Sequence, residues 1–219
     1  MTDRVDEGTL RPPRERDVRL LGILIDGVIA QKCRRHYGAD TQEHQLSSRI
    51  AEAIERELGG IRIGDMNVQV TVQELPDRGR GSKEKKVGAD LYVSIVVDDG
   101  RAAVSKGMLV QSKWDDTVAG DRVLDQQVEE MRRRTKDSYV WTYGPDGVSV
   151  FPANQDGLVA ARSGAAGGTV GSLLSDGVAC RAGDRDIGID LSKPMVDALN
   201  DKLRELAVGK ALSLIARIG

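Results

Sequence analysis

Hydrophobic residues recur along the chain with two different periods. Over residues 18–35 the apolar positions Leu21, Ile25, Val28 and Ile29 fall on one face of a helix, and Gly38 is a stop signal. A second helix is predicted over residues 41–58, capped by Thr41, striped by Leu46, Ile50, Ile54 and Leu58, and ended by Gly59-Gly60. The period then drops to two. Val68, Val70 and Val72 alternate with Gln69, Thr71 and Gln73 in a half-buried strand over residues 67–74. Further strands are predicted at 89–97 and 107–114, joined by the short connection 98–106 through Asp98-Asp99-Gly100. A helix at 121–134 carries Val123, Gln127, Val128 and Met131 on one side. Strands at 138–143 and 148–151 then flank the turn Gly144-Pro145-Asp146-Gly147.

The rest is read by composition. Residues 77–82 are a polar, mobile loop, and 163–177 is a glycine- and serine-rich loop or a poorly ordered segment. Residues 178–181 suit one more edge strand, and 195–215 a closing amphipathic helix with Leu199, Leu203, Leu206, Leu212 and Ile215 towards the core. The expected organisation is a flexible arm at 1–15 and one domain at 16–219. Helices come first, then a three-stranded meander, a helix and more strands, which describes an α/β sandwich with a mixed central sheet flanked by helices. A chain of 219 residues is long enough for one full hydrophobic core.

Charge and cysteine content narrow this picture only slightly. The formal net charge is −2, so the whole molecule lacks the excess positive charge common in DNA-binding proteins, although an enzyme needs only a basic groove. Basic residues cluster at Arg78, Arg80, Lys83, Lys85 and Lys86, and at Arg132, Arg133 and Arg134; each cluster is equally readable as a solvated face. Aromatic residues are 3% of the chain, which argues against a base-stacking platform. Cys33 and Cys180 are far apart and outside any paired motif, favouring free thiols in a reducing, cytoplasmic setting. Cys33 and His36 alone are too few for structural zinc. The apolar stretch 20–30 is broken by Asp26 and too short to span a bilayer, and no secretory signal is evident, so no membrane association is expected.

The candidate chemistry lies on the second and third strands. Asp90 opens a strand that is otherwise apolar, and Gln111 and Lys113, two apart, point to one face of the next. An ammonium buried alone is costly, so this polar pair needs partners or a function. Phosphodiester hydrolysis supplies one. A divalent cation such as Mg²⁺ takes oxygen ligands, and Asp90, the Gln111 amide oxygen and the Ser112 carbonyl are candidates. Lys113 is then placed to orient or deprotonate the attacking water, or to stabilise charge on the phosphate.

The string Gly88-Ala89-Asp90, followed by Val110-Gln111-Ser112-Lys113, resembles the D…(E/Q)xK core of the PD-(D/E)xK, restriction endonuclease-like nucleases. The glutamine form is similar to that of Mrr-like nucleases and of nuclease domains in bacterial antiphage systems. Lys85-Lys86-Val87 before the first strand, Ser105-Lys106-Gly107 before the QxK strand, Gln127 and Met131 on the next helix, and Ser138-Tyr139-Val140-Trp141 continue the resemblance. It covers about residues 41–153. It implies an αβββαβ core and an endonuclease that cuts DNA with Mg²⁺ or Mn²⁺ in prokaryotic antiphage defence. Asp90, Gln111 and Ser112 would hold the metal, Lys113 would act at the water, and Gln127 is a possible accessory residue. Family members commonly add a glutamate from the helix before the meander. Here Glu43, Glu52, Glu55 and Glu57 compete, with Glu43 preferred, although a first-turn glutamate is also favoured by the helix dipole alone. Targeting by a homo-oligomer or a partner defence protein is the further expectation. The alternative is a catalytically inactive nuclease-fold subunit that binds nucleic acid or a partner protein.

Overall fold

The computed structural model describes residues 10–38, 42–75 and 88–219. The two leading helices form where the apolar period predicts them: α1 at Glu15–His36 and α2 at Glu43–Leu58. A short β1 (Arg62–Ile63) and a long β2 (Met66–Glu74) follow. The next strands are β3 (Leu91–Asp98) and β4 (Ala103–Trp114). A 3-10 turn at Val118–Gly120 leads into α3 (Leu124–Arg132), then β5 (Ser138–Gly144) and β6 (Gly147–Pro152). The chain continues through α4 (Gln155–Arg162), β7 (Gly168–Thr169), α5 (Val170–Val178) and α6 (Met195–Leu206), and ends in β8 (Lys210–Ile218).

The eight strands form one mixed sheet in the order β1-β2-β8-β3-β4-β5-β6-β7. β8 runs parallel to β3 and β4 parallel to β5; the other ladders are antiparallel. One face packs against α1, α2 and α5, the other against α3, α4 and α6. Seven successive β3 residues, Leu91 to Val97, are therefore buried, which is why that strand reads as a continuous apolar run rather than an alternation.

Four expectations are corrected. The predicted closing helix at 195–215 stops at Leu206, and its second half is β8, which lies between β2 and β3. The three-stranded meander is accordingly interrupted: β2 pairs with β8 and not with β3. The glycine- and serine-rich segment 163–177 contains α5, whose glycines serve packing. A methyl group on Gly22 of α1 would meet Ser175 Oγ at 2.6 Å and the Gly171 carbonyl oxygen at 2.9 Å, so the two helices approach at backbone distance. Asp26, which breaks the apolar stretch of α1, accepts the Gly171 N–H at 2.7 Å and so caps α5. The edge strand predicted at 178–181 is instead the end of that helix and its exit turn.

Part of the predicted arm is anchored. The Arg11 N–H donates to Asp99 Oδ2 at 2.7 Å, and its guanidinium reaches Asp65 at 2.9 Å. Residues 1–9 of the arm, the Thr41 cap, the 77–82 loop and the basic residues from Arg78 to Lys86 lie outside the described residues.

Candidate functional site

Asp90 stands one residue before β3, and its N–H already donates to the Val110 carbonyl of β4 at 2.8 Å. Gly88 sets its approach. This glycine has φ +68°, and a side chain there would collide with the backbone of Gln127, whose Cα would be 2.6 Å from its methyl group. Only glycine passes α3 at this distance in this conformation. Asp90 Oδ2 then accepts from Gln111 Nε2 at 2.5 Å and from the Ser112 N–H at 3.1 Å. Gln111 Nε2 also donates to the Ser112 carbonyl at 3.2 Å. Its other amide atom, Oε1, is buried without a hydrogen-bond partner. One amide nitrogen thus bridges two of the oxygens proposed as metal ligands.

Ser112 points its side chain to the opposite face. Its Oγ, Ser47 Oγ and Tyr143 OH lie 2.7, 3.2 and 3.3 Å apart in a buried polar seam that ties α2 to β4 and β5. Burial pushes the Tyr143 phenol far above its ordinary pKa and keeps it neutral. One turn before Ser47, Glu43 reaches the end of β4, where Oε1 accepts the Trp114 N–H at 3.0 Å. Two of its rivals are engaged elsewhere, since Glu55 accepts the Val72 N–H at 2.9 Å and Glu57 pairs with Arg56 at 2.9 Å, and the third, Glu52, is exposed. Burial raises the Glu43 carboxyl pKa. The Trp114 N–H and the Lys113 charge oppose that rise, and Asp90 and Asp121 add to it.

Lys113 is mostly buried, with 11% of its side chain exposed, and Nζ lies 2.6 Å from Asp121 Oδ2. Asp121 is itself fixed, because Oδ1 accepts the Val123 and Leu124 N–H groups at 2.8 and 3.1 Å, an Asx turn leading into α3. The sequence pattern did not reveal Asp121; it stood only as the first residue of a predicted helix. Gln127 places its backbone against Gly88, and its side-chain oxygen Oε1 is buried without a partner.

No family model, curated protein or solved structure matches the chain. What the site can do therefore follows from its own geometry. Among the described residues, no three His, Cys, Asp or Glu side chains converge closely enough to hold a metal ion. The donors at the end of β4 are instead one carboxylate, one amide and one backbone carbonyl. These are hard oxygen ligands of the kind Mg²⁺ takes while keeping several waters. The unpartnered Gln111 Oε1 fits that role once the amide turns towards Asp90. Cys33 and His36 do not form a second centre: Cys33 is fully buried, and His36 Nδ1 lies 2.9 Å from an Arg49 guanidinium nitrogen.

Proposed function

We propose that this chain is a metal-dependent endonuclease that hydrolyses DNA phosphodiester bonds with Mg²⁺ or Mn²⁺. The observation that carries the reading is the knot of Asp90, Gln111 and the Ser112 carbonyl at the head of β3 and the end of β4, with Lys113 and Glu43 beside it. The run α2, β2, β3, β4, α3, β5 supports a restriction endonuclease-like αβββαβ core, with β8 as an added strand inside it. Asp90, Gln111 and Ser112 would hold the cation, with Glu43 assisting. The bound cation would neutralise phosphate charge and acidify a water molecule. Lys113 brings a positive charge to the attacking water or the scissile phosphate. Glu43 would assist as a carboxylate, the Trp114 N–H and the Lys113 charge opposing the rise in pKa that its burial causes.

The setting proposed is prokaryotic antiphage defence in the cytoplasm, with DNA as substrate and targeting by a homo-oligomer or a partner defence protein. Among the described residues no helix is long and apolar enough to cross a membrane. A second reading, an inactive nuclease-fold subunit, is favoured by one observation. The Gln111 amide already satisfies Asp90 and the Ser112 carbonyl without any cation. Incubation with supercoiled plasmid in Mg²⁺ or Mn²⁺ decides between them. Nicking or linearisation by the wild type, reduced about 10²-fold or more in Asp90→Ala and Lys113→Ala, supports the enzyme. Plasmid left intact by all three proteins in both metals supports the inactive subunit.

A further inference from the structure

We infer that Asp121 is the positioning residue for Lys113, holding its ammonium in the geometry that the reaction uses. This inference rests on the nuclease reading above. Three observations carry it. The Lys113 side chain is only 11% exposed, and a buried ammonium persists only with a paired charge. Asp121 Oδ2 supplies that charge at 2.6 Å. The partner is rigid, because Asp121 Oδ1 is held by the Val123 and Leu124 N–H groups and Val118, just before it, is buried.

The arrangement places a fixed carboxylate behind a long, otherwise adaptable side chain. Lys113 carries several rotatable bonds, and its neighbours on β4 are committed to other tasks: Gln111 to Asp90, Ser112 to the seam with Ser47 and Tyr143, and the Trp114 N–H to Glu43. Asp121 therefore does for the lysine what a strand ladder does for backbone groups, and it acts on the reaction through Lys113 rather than by touching substrate.

The test uses Asp121→Asn, which can keep the Asx turn through its amide oxygen while removing the ion pair. Plasmid cleavage, Mn²⁺ affinity by calorimetry and the thermal midpoint are measured for the wild type, Asp121→Asn, Asp121→Glu, Lys113→Ala and the double variant. Cleavage by Asp121→Asn is expected to fall about 10²-fold, the scale of a reacting group misplaced by roughly an ångström. Its Mn²⁺ affinity should stay within about twofold; its thermal midpoint should fall, because the buried Lys113 ammonium loses its paired charge, so cleavage is compared well below that midpoint. Asp121→Glu should recover part of the rate. The double variant should be no slower than Lys113→Ala, because both substitutions remove the same contribution. Unchanged or faster cleavage by Asp121→Asn overturns the inference and leaves the nuclease reading standing. So does a tenfold loss of Mn²⁺ affinity, which would make Asp121 a metal ligand, or fully additive losses in the double variant. A wild type inert in both metals overturns the reading and the inference together.

Discussion

Gln111 Nε2 sits 2.5 Å from Asp90 Oδ2 and 3.2 Å from the Ser112 carbonyl, and so bridges the two acceptors that the proposed cation would share. A glutamate at this position would set two carboxylates against each other and remove the donor that both acceptors share. Gln111→Glu is therefore expected to make folding stability depend on metal. In a chelator the variant should lose about 2 kcal/mol, or roughly 4–8 °C in thermal midpoint for a protein of this size. Saturating Mn²⁺ should return most of it, since a ligand at about 100 times its Kd adds roughly 2.7 kcal/mol. The wild type, already satisfied by its own amide, should respond less. Equal midpoints for the variant with chelator and with Mn²⁺ would overturn the proposed metal site at Asp90. A second residue-scale expectation concerns pH. Three N–H groups, from Arg11, Ala102 and Arg101, hold the Asp99 carboxyl down at about 2. A depressed carboxyl stabilises the fold above its unfolded pKa, near 3.8, and loses that effect as pH falls towards 2. Acid titration of Asp99→Asn should therefore show a shallower loss of stability between about pH 4 and pH 2 than the wild type. An identical slope would mean that the turn does not hold Asp99 in solution.

At the scale of elements, the connection from α6 to β8 shows why the sequence pattern runs the two together. Leu199, Leu203 and Leu206 step by four and three, but the next leucine, Leu212, is six residues on. The break falls on Ala207, Val208 and Gly209, where the helix closes. Ala207 adopts φ 54° and ψ 37°, and the Val208 N–H reaches back to the Leu203 carbonyl at 3.0 Å. The run 211–216, apolar except for Ser213, does not separate strand from buried helix by period alone, so the sequence extends the preceding helix through it. The left-handed residue carries a cost for any side chain, so Ala207→Gly should stabilise the protein by roughly 0.5–1 kcal/mol in urea unfolding. Destabilisation would show that the closing turn differs from the one described. α5 was missed for a different reason. Gly171 and Gly177 read as loop formers, but their smallness serves contacts with α1 and with Ile95 and Met108 of the sheet, which are distant in sequence. By contrast, β3 and β4 are legible as apolar runs bounded by turn residues, and the shared face of Gln111 and Lys113 follows from strand geometry alone, because residues two apart must share a face. Asp121 was not, since its pairing with Lys113 depends on the path of the intervening turn.

At the scale of the whole molecule, the last strand in sequence lies inside the sheet, between β2 and β3. Among the described residues, β2 neighbours β1 and β8, and β3 neighbours β8 and β4, so the ladders joining the two parts pass through β8. Nine register positions face β2 and seven face β3. Leu212, Leu214 and Ala216 enter the core shared with α1 and α2, whereas Ala211 and Ile215 enter the one shared with α6. Ending the chain after Gly209 would remove this strand from both cores and leave two long unpaired edges. The expected result is no cooperative urea transition and a strong tendency to associate by edge pairing. A milder substitution gives a graded measure. Leu214 is fully buried, and Leu214→Ala should cost about 2–5 kcal/mol. The consequence reaches the site as well. The Lys210 ammonium at the start of β8 pairs with Glu74 at 2.9 Å and contacts Ser48 on α2, one turn after His44. β8 thus braces the helix that delivers Glu43 to the end of β4. Lys210→Ala should therefore leave β8 paired through its backbone while loosening the first turn of α2. Amide hydrogen exchange should then rise in residues 43–48 and stay low in β3. Equal protection of α2 in both proteins would show that the seam from Ser47 to Tyr143 holds that helix without help from β8.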